Sequence, residues 1–198
     1  MRSRTIRFRT SRARCPLLNV ADRRVKRTRD AVLAAFAQLL MENGYDRVTV
    51  AAVIARANVG RSTFYEHFEN KQHVFRASFE PLLRILAEAV EPRRGASDVT
   101  ALVAHFWEQR HLVGALLRGS AGADAAAMLT ELIEERLLRS KRGLKARLPA
   151  TLAAAQIAGG QIELLRRWAA GDGACDPAAL AAALCDGSVA TARAHAAS

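Results

Sequence analysis

Apolar side chains recur at helical spacing along most of the chain. In the first such segment they stand at i, i+3, i+4, i+7 and i+8: Val32, Ala35, Phe36, Leu39 and Leu40. This is one face of a helix with 3.6 residues per turn. Nowhere do apolar and polar residues alternate strictly, as they do in a half-buried strand. The pattern therefore predicts an all-α protein with eight or nine helices.

Capping and breaking residues divide the first part of the chain into short helices. We expect the first helix to begin between Asp22 and Thr28 and to end at Gly44, because glycine is favoured just after a helix C-terminus. Thr49 has the side chain of an N-cap and is expected to begin the second helix. The N-terminal part is thus predicted to contain closely spaced helices joined by tight turns.

A third, short helix is predicted over residues 61–67, after a turn at Asn58. Asparagine suits that turn because it tolerates a positive φ better than most residues. Phe64 and Phe68, at i and i+4, are expected to face inward and hold the helix. The remaining side chains face outward or lie at the rim: Arg61, Ser62, Thr63, Tyr65 and His67. Such a face suits phosphate oxygens and base edges in a DNA groove, and Lys71 follows where a phosphate could be met.

Longer helices are predicted for the rest of the chain. Their approximate ranges are 72–91, 98–117, 124–140, 149–168 and 177–194. Pro81 is expected to kink the first of them. Gly119 to Gly122 and Gly171 to Asp176 are predicted to be a turn and a loop, and Asp176 with Pro177 has the pattern of a helix start.

The positive charge of the chain is concentrated at its N-terminus. Residues 1–29 contain eleven of the thirty Lys and Arg residues and one of the nineteen Asp and Glu residues. Residues 30–75, in contrast, carry a net charge of −1. We interpret residues 1–21 as a basic disordered arm. Two interpretations stay open: a solvated tail without function, or an arm that orders on DNA and contacts phosphates.

Several classes of protein are disfavoured by what the sequence lacks. It has no apolar run of membrane-spanning length and no secretory signal, so a cytoplasmic location is expected. Cys15, Cys175 and Cys185 are widely spaced and indicate neither a disulfide framework nor a zinc site. We find no catalytic triad, phosphate-binding glycine loop or metal-ligand spacing, so no enzyme activity, metal or cofactor is predicted.

Residues 28–75 resemble the DNA-binding domain of the TetR family of transcriptional regulators. The resemblance lies in Gly44-Tyr45, Thr49, Val53-Ile54-Ala55, Ala57, Val59, Thr63-Phe64-Tyr65, His67-Phe68 and Lys71. It implies a helix-turn-helix domain over residues 22–71, followed by a larger helical ligand-binding and dimerisation domain over 72–198. It also implies DNA contacts by Thr49, Arg61, Ser62, Thr63, Tyr65, His67 and Lys71. Two positions depart from the family pattern, since Asn58 replaces a turn glycine and Gly60 a capping Ser or Thr.

The resemblance further implies a ligand cavity in the C-terminal domain. The candidate lining residues are His105, Phe106, Trp107, Arg110, Met128 and Gln156. Ordinary core and surface positions are the alternative for all six. The last two helices are rich in small residues, which would allow the four-helix contact of a homodimer or close packing within one chain.

These observations predict a sequence-specific DNA-binding regulator. The resemblance implies a homodimeric repressor that binds a palindromic operator in double-stranded DNA and is released by a small-molecule ligand of unknown identity. The alternative is a DNA-binding factor that responds to a partner protein or to no ligand.

Overall fold

The structure is a computed structural model that describes residues 16–91, 96–139, 147–173 and 175–195. Within these ranges every regular element is helical, as predicted. The α-helices are α1 Pro16–Asn43, α2 Val50–Ala57, α3 Arg61–His67, α4 Lys71–Glu88, α5 Ala96–Glu108, α6 Arg110–Arg118, α7 Ser120–Arg139, α8 Ala150–Ala170 and α9 Pro177–His195. A 3-10 helix, Tyr45–Arg47, lies between α1 and α2.

Helix α1 begins earlier than predicted. Its first residue is Pro16, whereas we expected a start between Asp22 and Thr28 and assigned residues up to 21 to a disordered arm. That expectation was wrong for residues 16–21, because proline interrupts a helix only in its interior. In the first turn its fixed φ and missing N–H are tolerated. Residues 1–15 lie outside the described residues, so the interpretation of that part of the arm stays a prediction.

The predicted helix over residues 98–117 is in fact two helices. Helix α5 ends at Glu108 and α6 begins at Arg110, with Gln109 between them at φ −107° and ψ 21°. The break lets α5 pack against α9 while α6 packs against α8 and α7. Both segments keep helical periodicity, so the sequence pattern alone did not reveal the change of direction.

The corner between α6 and α7 depends on Gly122. The turn predicted at Gly119 to Gly122 is shorter than expected, since α7 already begins at Ser120. A Cβ atom at Gly122 would overlap the carbonyl oxygen of Leu117, so only glycine allows this close approach.

No single helix in the described ranges is both long and apolar enough to cross a membrane. Helices α6 and α7 would pass by length and composition only as a pair, and they are bent by 88°.

The predicted boundaries of α8 and α9 are close to those observed. Pro149 precedes the first residue of α8, and Gly171 ends that helix with φ 88°. Asp176 caps α9, since its Oδ1 accepts a hydrogen bond of 2.8 Å from the backbone N–H of Ala179. Local capping chemistry therefore suffices to define these two helices.

One hydrophobic core joins the N-terminal helices to the rest of the chain. Its largest fully buried side chains are Phe36, Phe64, Phe68, Phe75, Leu86, Leu129, Ile133, Leu165 and Leu184. Helix α4 makes the connection, because it packs against α1 on one side and against α7 on the other. The orientation of the first three helices relative to α5–α9 is thus set by buried contacts and not by a free linker.

Candidate nucleic-acid interface

Helix α3 is short and is held from behind by two phenyl rings. Phe64 and Phe68 are completely or almost completely buried, and their ring centroids lie 5.8 Å apart. The guanidinium carbon of Arg29 in α1 lies 4.9 Å from the centroid of the Phe68 ring. A seven-residue helix is not stable by itself in water, so these contacts give α3 its position. The predicted inward orientation of both rings is confirmed.

The turn before α3 has the predicted backbone geometry. Asn58 adopts φ 51° and ψ 47°, and its N–H donates a 3.2 Å hydrogen bond to the carbonyl oxygen of Ala55. The Thr49 hydroxyl accepts a 3.2 Å hydrogen bond from the N–H of Ala52, which confirms the expected cap of α2. Gly60 precedes α3 and supplies no side-chain cap. Helices α2 and α3 are therefore joined by a compact left-handed turn.

Most of the predicted DNA-contacting side chains are accessible. Thr49, Arg61, Ser62 and Tyr65 are exposed, and Thr63 and His67 are half-buried. Tyr65 is 48% exposed, and its ring meets the edge of Phe64 at a centroid distance of 5.4 Å. The outer side of α3 thus presents a guanidinium, hydroxyls and an imidazole over a hydrophobic base.

Lys71 is not simply a free surface charge. Its Nζ donates a 3.1 Å hydrogen bond to the carbonyl oxygen of Tyr45 and lies 4.2 Å from the centroid of the Tyr45 ring. The side chain is half-buried as a result. A phosphate contact by Lys71 would exchange this internal cation–π and hydrogen-bonding contact for one with DNA.

An ion pair that sequence reasoning missed joins α1 to α2. The guanidinium of Arg56 meets both carboxylate oxygens of Glu42, each at 2.8 Å. The hydrogen bonds from Arg56 hold the pKa of Glu42 below its ordinary value. The pair is exposed, so its main effect is to fix the geometry of the two helices and to occupy one of the few cations of this domain. Separation by fourteen residues gave no local signal for it.

A second polar contact that sequence reasoning missed joins the N-terminal helices to α7. The Tyr45 hydroxyl donates a 2.9 Å hydrogen bond to Oδ2 of Asp124, and Gln72 Nε2 lies 3.5 Å from Oδ1 of the same carboxylate. Ser120 also donates a hydrogen bond to the Asp46 carboxylate. Burial, followed by the hydrogen bond to Asp124, raises the pKa of the Tyr45 phenol well above its ordinary value.

The six residues predicted to line a ligand cavity occupy several separate places. The ring of Trp107 lies tilted against that of Trp168 with a centroid distance of 4.7 Å, and the guanidinium carbon of Arg110 lies 5.0 Å from the centroid of the Trp107 ring. His105 is exposed and Phe106 packs on the core. The structure therefore brings Trp107 and Arg110 together, on the outside of the α5–α6 break.

Met128 and Gln156 lie away from that group. Met128 is buried at the wall of a cleft of about 490 Å³ between α4 and α7, which also includes Asp124. Gln156 is exposed on α8, where its Oε1 lies 2.7 Å from Nε2 of His195. Of the six candidates, the cleft between α4 and α7 includes only Met128.

The outer sides of α8 and α9 are apolar and rich in small residues. Leu152 and Leu164 are exposed on α8, and a Cβ atom added to Gly160 or Gly187 would meet no other atom within 4 Å. A shallow groove of about 140 Å³ runs between the two helices. Trp168, in contrast, is buried within the chain, and its Nε1 donates a 3.0 Å hydrogen bond to the carbonyl oxygen of Cys175.

The fold and the exposed side of α3 define a helix-turn-helix protein with an additional helical domain. Residues 32–78 match the family model of the bacterial regulatory proteins of the tetR family. The chain is 35% identical over 71 residues to YxbF of Bacillus subtilis (strain 168), an uncharacterized HTH-type transcriptional regulator. That alignment covers 35% of this chain but only 18% of YxbF.

Solved structures extend the likeness to most of the chain. A TetR transcriptional regulator from Streptococcus agalactiae 2603V aligns with a TM-score of 0.57 and 26% identity, over 86% of this chain and 98% of that one. NalD of Pseudomonas aeruginosa, the secondary repressor of the MexAB-OprM multidrug efflux pump, shares the fold with a TM-score of 0.52 at 20% identity, over 87% and 98% of the two chains. The N-terminal helices of this chain are therefore similar to the DNA-binding domain of TetR-family regulators, and the chain shares its overall fold with a solved TetR regulator.

Proposed function

We propose that this protein is a sequence-specific DNA-binding repressor that acts as a homodimer and is released from its operator by a small molecule. The observation that carries the proposal is the position of α3: its two phenyl rings are buried, while Arg61, Ser62 and Tyr65 are exposed. A short helix with this division suits insertion into the major groove, where side chains meet base edges.

We call the DNA-binding helices α1, α2 and α3 the reader. The seven predicted contacts divide by their place in it or next to it. Arg61, Ser62 and Thr63 stand in the first turn of α3, the part of a recognition helix that reads base edges. The remaining four are proposed to contact phosphates or to lie near them: Thr49, Tyr65, His67 and Lys71. Because residues 30–75 carry no net positive charge, this module depends on geometry and on a second copy more than on charge.

The second copy is proposed to pack against the outer side of α8 and α9. Leu152 and Leu164 would be covered there, and Gly160 and Gly187 would allow close approach of the partner helices. Two α3 helices about one DNA turn apart would then engage an inverted repeat. The repressor role is supported by the fold shared with NalD, which is a repressor.

An electrophoretic shift assay tests this proposal directly. The probe is an inverted repeat from the region upstream of the protein's own coding sequence, and the control is scrambled DNA of equal length and composition. We expect a discrete complex with the first and at least about a thousandfold weaker binding to the second. Equal affinity for both would exclude sequence-specific regulation.

A ligand-independent or partner-controlled factor is the alternative. It is favoured by the separation of Trp107, Met128 and Gln156, which do not form one cavity. A thermal-shift screen separates the two possibilities, since a ligand at 100 times its dissociation constant adds about 2.7 kcal/mol of stability. A screen without any stabilising compound, together with intact DNA binding, would support the alternative.

A further inference from the structure

A cleft lies where the N-terminal helices meet the break between α5 and α6. We call it the junction cleft. Its walls include Met41, Gly44 and Tyr45 on one side and Glu108, Leu112 and Leu116 on the other. Its volume is about 410 Å³, within the range of small-molecule sites. None of the six residues that the sequence suggested as pocket lining belongs to it.

The walls of the junction cleft are mainly apolar and accessible. Met41 is 62% exposed, the highest value among the large exposed apolar side chains in the described parts of the chain. Leu112 and Leu116 on α6 are only half-buried. An exposed methionine that faces two leucines across a concave space forms an apolar surface of the kind that often marks a binding site. The flexible thioether of methionine can also adapt to ligands of different shape.

Glu108 gives the junction cleft its charge preference. Among the lining residues it is the one Asp, Glu, Lys or Arg, and its carboxylate is 73% exposed. One of its carboxylate oxygens lies 3.9 Å from Nδ1 of His105. A ligand with an apolar body and a positive charge would bury the first against Met41 and Leu112 and place the second beside Glu108.

Tyr45 connects the junction cleft to the DNA-binding helices. It forms part of the cleft wall, and the same residue bonds Asp124 through its hydroxyl and Lys71 through its carbonyl oxygen. A ligand in the cleft therefore contacts α1 and α6 at once, next to the hydrogen bonds that hold α7 to the reader. Occupation of the cleft would favour one relative orientation of these helices over another.

We propose that the junction cleft is an effector site for small hydrophobic cations, whose binding changes the affinity of the reader for DNA. The regulatory half of this statement rests on the proposed function, whereas the binding half does not. A ligand that separates α6 from α1 changes the position of α3 relative to its twin in a dimer. Binding of cation and operator would then be reciprocally linked.

Tetraphenylphosphonium is a suitable probe, because tetraphenylborate has the same shape and the opposite charge. Binding of both to the full chain is measured by isothermal titration calorimetry. We expect tetraphenylphosphonium to bind with a stoichiometry of one per chain. For tetraphenylborate we expect no binding at the cleft, so any heat of binding should be the same in the unaltered chain and in variants of the cleft.

Two variants locate the probe. Ala115→Phe places a phenyl ring into the cleft from an exposed position on α6 and is expected to weaken the binding of tetraphenylphosphonium by about tenfold or more. Glu108→Gln keeps the shape of the side chain but removes its charge, and it is expected to weaken the binding of tetraphenylphosphonium about threefold, as for the loss of an exposed charge pair. The matched control is Ala104→Phe, at an alanine on α5 that is also exposed and lies outside the cleft, and this variant is expected to bind the probe as the unaltered chain does.

The outcomes separate the site from the regulatory function. The site is supported if Ala115→Phe and Glu108→Gln weaken probe binding while Ala104→Phe does not. This result supports the site even if the chain fails to bind an operator. No binding of tetraphenylphosphonium, or binding equal in all variants, overturns it. For the linkage, saturating probe is expected to change operator affinity by at least about fivefold, and an unchanged affinity overturns that half.

Discussion

The hydroxyl of Tyr45 donates a hydrogen bond of 2.9 Å to the carboxylate of Asp124, which joins the 3-10 helix after α1 to α7 across 79 residues of sequence. Tyr45 is 6% exposed and also stacks edge-on against Phe75 at 5.1 Å. This residue is thus both a core side chain of the N-terminal helices and their polar contact with the C-terminal domain.

Loss of the hydroxyl should affect stability at one of the two tyrosines of the chain and DNA binding at the other. Tyr45→Phe removes a partly buried hydrogen bond and is expected to lower the free energy of unfolding by about 1 kcal/mol in urea denaturation. Tyr65→Phe, on the exposed side of α3, should leave stability unchanged and weaken operator binding in the shift assay. An equal loss of stability in both variants would contradict the roles assigned to them.

Alkaline pH should act through Tyr45. The fold raises the pKa of this phenol and so favours its protonated form. Its contribution to stability is therefore complete below the ordinary phenol pKa of about 10 and is lost as pH rises above that value. The difference in unfolding free energy between the unaltered chain and Tyr45→Phe should shrink over this range. A difference that stays constant to high pH would show that the phenol does not titrate as inferred.

Lys71 should matter for stability as well as for DNA. Lys71→Met removes the ammonium from the carbonyl oxygen and ring of Tyr45, so we expect about 0.5–1 kcal/mol lower stability. If the ammonium moves to a phosphate in the complex, the salt dependence of log K also falls by about 0.9. Lys26→Met, at an exposed position of α1, is the control and should not affect stability. Unchanged stability of Lys71→Met would argue against the internal contact.

Asn58 should tolerate glycine better than alanine. Its φ of 51° is in the left-handed region, where a Cβ atom is costly and the asparagine side chain is a partial exception. Asn58→Ala is expected to lower the free energy of unfolding by about 1 kcal/mol, whereas Asn58→Gly should change it little. Chemical denaturation of the two variants measures this difference. Equal stabilities would mean that the turn relaxes to a negative φ.

The proposed dimer contact can be tested with a pair of leucines. Leu164→Glu places a charge on the outer side of α8 and is expected to convert a dimer into a monomer in analytical ultracentrifugation. Leu138→Glu on α7 is the matched control, because Leu138 is 51% exposed and Leu164 is 44% exposed. A dimer that persists in Leu164→Glu would place the interface elsewhere.

The sequence was most informative where a local interaction decides the structure. The α2–turn–α3 unit was predicted to within a residue, because Thr49 caps its own helix, Asn58 turns the chain and Phe64 and Phe68 repeat at i and i+4. The same is true of the Asp176 cap of α9. The start of α1 was placed too late because Pro16 was taken as a break and not as a first-turn residue.

The candidate ligand residues were less well predicted, and the reason is physical. Trp107 and Arg110 do meet across the break at Gln109, but His105 is exposed. Met128 and Gln156 lie on α7 and α8, away from that pair. The junction cleft draws its walls from the end of α1 on one side and from α5 and α6 on the other, which follow more than sixty residues later in the sequence. A cavity formed between distant helices leaves no pattern in any one of them.

The amino-acid sequence by itself determined the helical class, the capped and turned helices of the reader, and the phenyl rings that hold α3, because each depends on residues within a few positions of one another. Only the tertiary structure decided that Lys71 meets Tyr45, that Tyr45 meets Asp124, and that the end of α1 faces the α5–α6 break. These contacts join distant parts of the chain, and they form only when the whole core packs and removes their groups from water.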